Sequence, residues 1–210
     1  VAAQRFAAHY RYPFTNPILL CMIVIISFLE LSGISFAEYY RANAIFPFLL
    51  NLSVVALGYL LFQHIRQIRE NLTAIVTSIG LGAVVGGICI ISISRGLGAE
   101  SAIVNSLRPY SVTTPIALSL SEQHGGIPAI TSAIVIFAGL FGAIIGPTIL
   151  QIARIDSPLA KGLALGSASH GFGTARAMEY GALEGAAGGL AIGVTGIITS
   201  LLLPIIEKVL

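Results

Sequence analysis

Charge is what this sequence has least of. Asp, Glu, Lys and Arg make up 10% of its 210 residues, against about 25% in soluble domains, and mean hydropathy is +0.92. That composition belongs in a bilayer rather than in water. The formal net charge is only +2, and the eleven Lys and Arg are scattered, so there is no basic patch for nucleic acid. Cysteine is equally sparse. Cys21 and Cys89 each sit in an apolar run, where a free thiol behaves as a small hydrophobe; together they make neither a disulfide framework nor a metal centre. No paired carboxylates, Cys–His pair, Ser–His–Asp set or phosphate loop can be assembled, so neither an enzyme nor a cofactor is expected. Ser169 and His170 are adjacent, and neighbours on a helix point in different directions. Gly80-Leu-Gly82-Ala-Val-Val-Gly86 has the wrong spacing for a dinucleotide fingerprint and follows no strand. The first sixteen residues are mixed and basic-aromatic and do not read as a cleavable signal. The start at Val1 leads us to expect a missing upstream membrane segment.

Apolar length is what the chain has instead. Asn16–Ala37 carries one charge, Glu30, while Ala44–Gln63, Thr73–Ser94, Gly126–Ala153 and Gly185–Ile206 carry none. Each meets or nearly meets the roughly 20 residues a membrane helix needs. Two weaker segments, Ser101–Leu120 and Pro158–Met178, are interrupted by polar or helix-breaking residues. The expected fold is an all-α integral membrane protein, a multi-pass helical bundle with interrupted helices forming one transmembrane domain over residues 1–210. With Tyr110–Leu120 treated as a re-entrant dip, the positive-inside rule sorts seven basic residues to the cytoplasmic side and four outside. A span, a polar-interrupted span and a glycine-rich span recur in residues 16–94 and 126–206, joined by 95–125. The two triplets start on opposite sides, as in an inverted repeat. Such repeats place substrate near the midplane on discontinuous helices, here Asn51-Leu-Ser53 and Ser167–Thr174.

The second of these lies in Gly166-Ser-Ala-Ser-His-Gly-Phe-Gly-Thr-Ala175. Lipid offers loosened backbone no hydrogen-bond partners, so this passage must line a cavity or lie buried in protein. His170 is an ionisable residue at membrane depth, a functional hypothesis by default, and its ordinary pKa suits proton coupling. The alternative is a neutral histidine bridging helices. Ser111-Val-Thr113-Thr114-Pro115 offers hydroxyls and free amides to a small carboxylate. Equally, Thr114 is an ordinary cap opening a helix with Pro115 at its first position. Arg176 reads better as a partner of Glu179, or as snorkelling to the interface, than as part of an anion path. Glu30 either faces the bundle interior or marks a helix end near Ser32-Gly33. Glycines four apart (Gly82/Gly86, Gly142/Gly146, Gly162/Gly166, Gly181/Gly185/Gly189) are read as helix-packing positions.

Several motifs carry a family resemblance along nearly the whole chain: Asn16-Pro17, Leu31-Ser-Gly-Ile34, Ser111-Val-Thr-Thr-Pro-Ile-Ala117, Gly125-Gly-Ile-Pro128, Gly139-Leu-Phe-Gly-Ala143 and Ala164-Leu-Gly-Ser-Ala-Ser-His-Gly-Phe-Gly-Thr-Ala-Arg176. In these the chain resembles the LrgB/CidB family of bacterial membrane proteins. It departs from the family at Asn51-Leu-Ser53 and Leu60, where family prolines are lost, and at Tyr110, where the family often has lysine; Arg108 is the available substitute charge. The resemblance implies a multi-pass protein of the bacterial inner membrane, often working with a small LrgA/CidA-type partner, and described as a holin- or antiholin-like modulator of murein hydrolases. Other members are linked to pyruvate movement, and a plastid relative carries glycolate and glycerate. Combined with the residues, this leads us to expect a homo-oligomeric secondary transporter of small monocarboxylates, with proton coupling at His170. Its anion site would comprise Ser111, Thr113, Thr114, Pro115, Ser169, His170, Gly171, Gly173 and Thr174. The competing expectation is the holin-like role. No metal site is expected.

Overall fold

The computed structural model describes residues 17–43, 45, 49, 59 and 62–209. The chain divides into two compact units, residues 1–56 and 57–210, each taken by itself. Among the described residues there is helix and no strand.

In the first unit, helix α1 runs Pro17–Ser32 and α2 runs Phe36–Ala42. The expected Asn16–Ala37 span is therefore split. Gly33 takes φ +65, a left-handed conformation only glycine enters freely, and the Ile34 amide reaches back 3.3 Å to the Leu29 carbonyl. That closes α1 as a Schellman turn. Glu30 thus sits in the last turn of α1, marking a helix end. A capping box then opens α2: the Glu38 amide donates to Ser35 Oγ at 3.3 Å, and the Ser35 amide donates to the Glu38 carboxylate at 3.0 Å. Ser35 Oγ also donates to the Glu38 carboxylate at 2.7 Å, and this bond, with that from the Ser35 amide, holds the Glu38 carboxyl below its ordinary pKa. Most of Ala44–Gln63, including Asn51-Leu-Ser53, lies outside the described residues, as does Leu60.

The second unit holds α3 (Ile65–Glu70), α4 (Leu72–Gly96), α5 (Ser101–Leu107), α6 (Thr114–Gln123), α7 (Pro128–Ile152), α8 (Pro158–Met178) and α9 (Ala182–Val209). Three stretches are long and apolar enough to cross a membrane: Leu72–Gly96, Pro128–Ile152 and Ala182–Ile205, with mean hydropathy 2.3, 2.3 and 1.9. A 25-residue helix extends about 37 Å, beyond the roughly 30 Å hydrocarbon core. These three coincide with the last three uninterrupted spans read from the sequence. By contrast, α5 and α6 have seven and ten residues, and α6 rises only about 15 Å. Neither can cross a bilayer. Their hairpin is fastened to α7 by polar bonds, from the Ile127 amide to Ser106 Oγ at 2.7 Å and from Thr131 Oγ1 to Ser121 Oγ at 2.6 Å.

Small residues set the packing. The most extensive contact is between α8 and α9, followed by α7 against α8. A Cβ on Gly166 would lie 2.6 Å from Gly188 Cα, one on Gly162 2.7 Å from Ala187 Cβ, and one on Gly146 2.7 Å from Leu165 Cδ2. The helices therefore meet almost backbone to backbone. In lipid no hydrophobic gain draws helices together, so close van der Waals packing must do it. The opposite faces carry the bulk: Phe137 and Phe141 stack at 5.7 Å on the exposed side of α7, away from its buried stripe of Thr131, Val135, Gly139 and Ala143. Four-residue glycine spacing thus marks packing at Gly146 of α7 and at Gly162 and Gly166 of α8, and Gly185 of α9 meets Met178 of α8, whereas Gly181 meets only Glu184. Gly82 departs from the rule, with nothing within 4 Å of its Cβ position.

Gly166→Ala should lower stability by about 1–3 kcal/mol, the usual range for forcing a methyl group into a packed interface. Gly82→Ala should be neutral or slightly stabilising, because alanine is the better helix former. Unfolding of the two variants in detergent checks this; equal midpoints would refute the close α8–α9 contact.

Candidate functional site

The chemistry gathers at a break in α8. Ser169 has φ −137 and ψ 16, and His170 has φ 38 and ψ −123, both non-helical inside Pro158–Met178. The discontinuity falls within the polar passage picked out in the sequence. A non-glycine residue at positive φ costs on the order of 1–3 kcal/mol and persists only where its surroundings over-determine it. Here α7 does so. Val135 offers its carbonyl oxygen 3.0 Å from His170 Nε2. A carbonyl can only accept, so Nε2 carries the hydrogen. The ring fits because Gly139 has no side chain: a Cβ there would sit 2.8 Å from Nε2. Phe172 closes the other side, edge-on at 5.9 Å. Within α8 itself, a Cβ on Gly173 would lie 2.7 Å from the Leu165 carbonyl carbon. Glycine at 173 is therefore what lets the two half-helices overlap.

Four expected site residues, Ser169, His170, Gly173 and Thr174, are brought together and buried at this break. Ser169 Oγ and Thr174 Oγ1 are both buried with no hydrogen-bond partner among the described residues. Each faces a glycine, Gly142 of α7 and Gly188 of α9. Unsatisfied buried hydroxyls cost roughly 1–3 kcal/mol each, which marks the place as one a water or ligand would improve. Gly171 does not join them; it is exposed, with nothing within 4 Å of its Cβ position.

The Ser111–Pro115 group occupies the turn from α5 into α6. Thr113 rather than Thr114 is the cap residue of α6, Thr114 begins the helix, and no side-chain cap bond is made. The expected cap is thus shifted by one residue, because the backbone is still extended at Thr113 (φ −65, ψ 149). Val112, fully buried, packs against Val135 and Ala117. Val135 therefore touches both groups, through its side chain toward Val112 and through its carbonyl toward His170. Ser111 instead lines a cavity of about 30 Å³ with Arg108, Tyr110 and Thr199, a lining that includes none of Ser169, His170 or Thr174. The expected site is two neighbouring polar clusters joined by Val135, not one chamber.

Arg108, Tyr110, Thr195 and Thr199 complete this polar interior, and the sequence reading passed over the two threonines. Arg108 is buried at 7% exposure, and Thr195 and Thr199 bury hydroxyls with no partner among the described residues. The available signal was a pair of threonines four apart, hence on one helix face, in a span read only as apolar. Arg176 pairs with Glu179 in an exposed ion pair, in keeping with its structural reading. Among the described residues no group of three or more His, Cys, Asp or Glu is placed to hold a metal ion.

His170→Gly should be more stable than His170→Ala by about 1 kcal/mol, although both lose the bond to Val135, because glycine alone relieves the positive φ. Thermal unfolding of the two in one detergent tests it. If alanine is the more stable, the residue is not held at positive φ.

The sequence profile of the LrgB-like family matches residues 1–209. Holin-like protein CidB of Staphylococcus aureus is 32% identical over 204 residues, covering 97% of this chain and 89% of the relative. Antiholin-like protein LrgB of Bacillus cereus is 33% identical over 189 residues, 90% of this chain and 82% of the relative. No solved structure matches the chain. With broken α8, membrane-length α4, α7 and α9 and this similarity along nearly its whole length, the chain belongs to the LrgB-like family of membrane proteins.

Proposed function

We propose that this chain is a holin- or antiholin-like protein of the bacterial inner membrane that modulates murein hydrolase activity, and that it is not an enzyme. The observation that carries this reading is the similarity to holin-like CidB over 89% of that relative's length. The packing supports assembly as the mode of action. Inside the second unit, α7, α8 and α9 meet through glycines too closely to leave a lumen between them, so a hole for large solutes would form between copies. Exposed apolar side chains on α4, α7 and α9, such as Leu81, Phe137 and Ile197, suit contact with lipid, with further copies or with a small LrgA/CidA-type partner.

A second reading is favoured by one specific feature, the break at Ser169–His170. A hole formed between copies has no use for a strained histidine among buried, unpartnered hydroxyls. A carrier of small monocarboxylates of the pyruvate, glycolate or glycerate class would use it, with Ser169 and Thr174 donating to the anion and His170 taking up the coupled proton. Ser111, Thr113 and Thr114 would supply the second polar wall.

Purified protein in liposomes separates the two. The holin-like reading expects release of an encapsulated carboxyfluorescein-sized dye that rises more steeply than the first power of the protein-to-lipid ratio and is unaffected by His170→Ala. Saturable pyruvate uptake, lost in His170→Ala and without dye release, would replace it with the carrier reading.

A further inference from the structure

The two ends of α8 lie side by side. Lys161 Nζ stands 5.6 Å from the centre of the Tyr180 ring, although a straight helix would carry Met178 about 25 Å away from Lys161. Leu165 and Ala177 share one buried cluster, and a Cβ on Gly173 would strike the Leu165 carbonyl oxygen. In unbroken helix, Leu165 and Gly173 would be about 12 Å apart. Gly188 of α9 touches both sides of the break. A Cβ on Gly166 would lie 2.6 Å from its Cα, and a Cβ on Gly188 itself would lie 3.0 Å from Thr174 Oγ1. These contacts require the chain to reverse direction where its dihedrals leave the helix, at Ser169 and His170. Past His170 it runs back along its own first arm.

The reversal falls halfway along α7. Gly142 faces Ser169 and Gly139 faces the His170 ring, on either side of the midpoint of Pro128–Ile152. The arm from Pro158 to Ala168 rises about 16 Å, half of a hydrocarbon core of roughly 30 Å, so it reaches the middle and no further. The α5–α6 pair comes in from the other end of α7. Its arms are held together there, by Asn105 Nδ2 donating to the His124 carbonyl at 2.5 Å and by the Ile127 amide donating to Ser106 Oγ at 2.7 Å. Val112, in the turn between them, packs on Val135.

We infer that α8 is a re-entrant hairpin, entering and leaving the membrane on the face of Arg154, and that it meets the α5–α6 hairpin, inserted from the opposite face, at Val135. Among the described residues this unit then crosses the bilayer at α4, α7 and α9. Glycine at 173 is what lets the two arms lie against each other, and Gly162 and Gly166 seat the first arm on α9. Ser169, His170 and Thr174 are carried to mid-membrane from the Arg154 face, and Ser111, Thr113 and Thr114 are carried inward from the other. The polar interior is thereby divided into one station for each face, with the Val112–Val135 contact as the partition. The positive-inside count is blind to this arrangement. Turning a crossing into a hairpin exchanges Arg176 and Lys208 between faces and leaves five basic residues of this unit on the Arg154 face and three on the other. The distances decide it, and they hold for either reading of the function.

Single cysteines test the sidedness in the full chain, with Cys21 and Cys89 replaced by alanine. Right-side-out and inside-out membrane vesicles are exposed to a membrane-impermeant maleimide. Ser157→Cys and Tyr180→Cys should be labelled in the same kind of vesicle, and Gln123→Cys and Lys208→Cys in the other kind. A crossing α8 would instead group Tyr180→Cys with Gln123→Cys, and Lys208→Cys with Ser157→Cys. A short bismaleimide should also link the two thiols of the Lys161→Cys, Tyr180→Cys double variant within one chain, read as a crosslinked peptide mass. That link carries the test if a labelling variant fails to fold. Labelling of Ser157→Cys and Tyr180→Cys from opposite faces, or no link in the folded double variant, would overturn the inference while leaving the holin-like and carrier readings standing.

Discussion

The bond between His170 Nε2 and the Val135 carbonyl, 3.0 Å long, is where the polar interior of this membrane protein is tied to its scaffold. A helix can be broken at membrane depth only if the freed groups find partners in protein, and α8 is broken at that histidine. What α7 supplies is an anchor for the side chain at the break, with Gly139 and Gly142 leaving room for the imidazole and the Ser169 side chain. The same Val135 packs its side chain on Val112 at the α5–α6 turn. One residue of α7 thus sets the position of both polar clusters. Larger side chains at 139 or 142 would drive α8 off α7 and leave the break without support.

This arrangement also explains how glycine is distributed. The closest approaches of α8 to its neighbours come where a Cβ would collide, at Gly162 and Gly166 toward α9 and at Gly146 from α7. Attraction between helices in lipid comes from such close approach and from interhelical hydrogen bonds, each worth only on the order of 1 kcal/mol. Many short-range contacts are needed, and they are lost together when two helices slide. A bundle held this way is stiff against small displacements and has discrete alternatives for large ones. The unpartnered hydroxyls of Ser169 and Thr174 are consistent with that, since a closed packing that leaves polar groups unsatisfied favours any state in which water or an anion reaches them.

Much of this was legible in the sequence, and the reasons are physical. Apolar length and absence of charge identified α4, α7 and α9, because a membrane span is a one-dimensional property of composition. The polar glycine-rich passage located the break in α8, because backbone distortion in lipid needs local glycine and local polar groups. The cut at Gly33 was one of two alternatives left open at Glu30, because hydropathy carries the span on to Ala37 and does not see a single left-handed residue. Thr195 and Thr199 were invisible for a different reason. Two hydroxyls barely lower the hydropathy of a long span, and their burial depends on which face α9 turns to α4 and α6. Arg108 was read as the substitute for a family lysine at position 110; that it borders two cavities is a matter of three-dimensional position, which no spacing encodes.

Charge placement ties the interior to the membrane setting. Among the described residues of the unit from 57 to 210, two exposed ion pairs lie at helix ends, Arg66 with Glu70 and Arg176 with Glu179, where solvent or headgroups screen them and each contributes little. Arg108 is the charged residue it buries among the described residues, at a turn between two helices too short to cross a bilayer. That placement follows from the hairpin. The inner faces of α4, α7 and α9 are packed with small and apolar residues such as Ile75, Val135 and Ala187, whereas the α5–α6 turn, bordered by α4, α7 and α9, brings tyrosine and serine hydroxyls with it. The hairpin is therefore the element that carries polarity into the bundle. The uninterrupted spans are left free to be apolar outside and small inside, and the broken α8 supplies the second polar cluster, one residue's reach away across Val135.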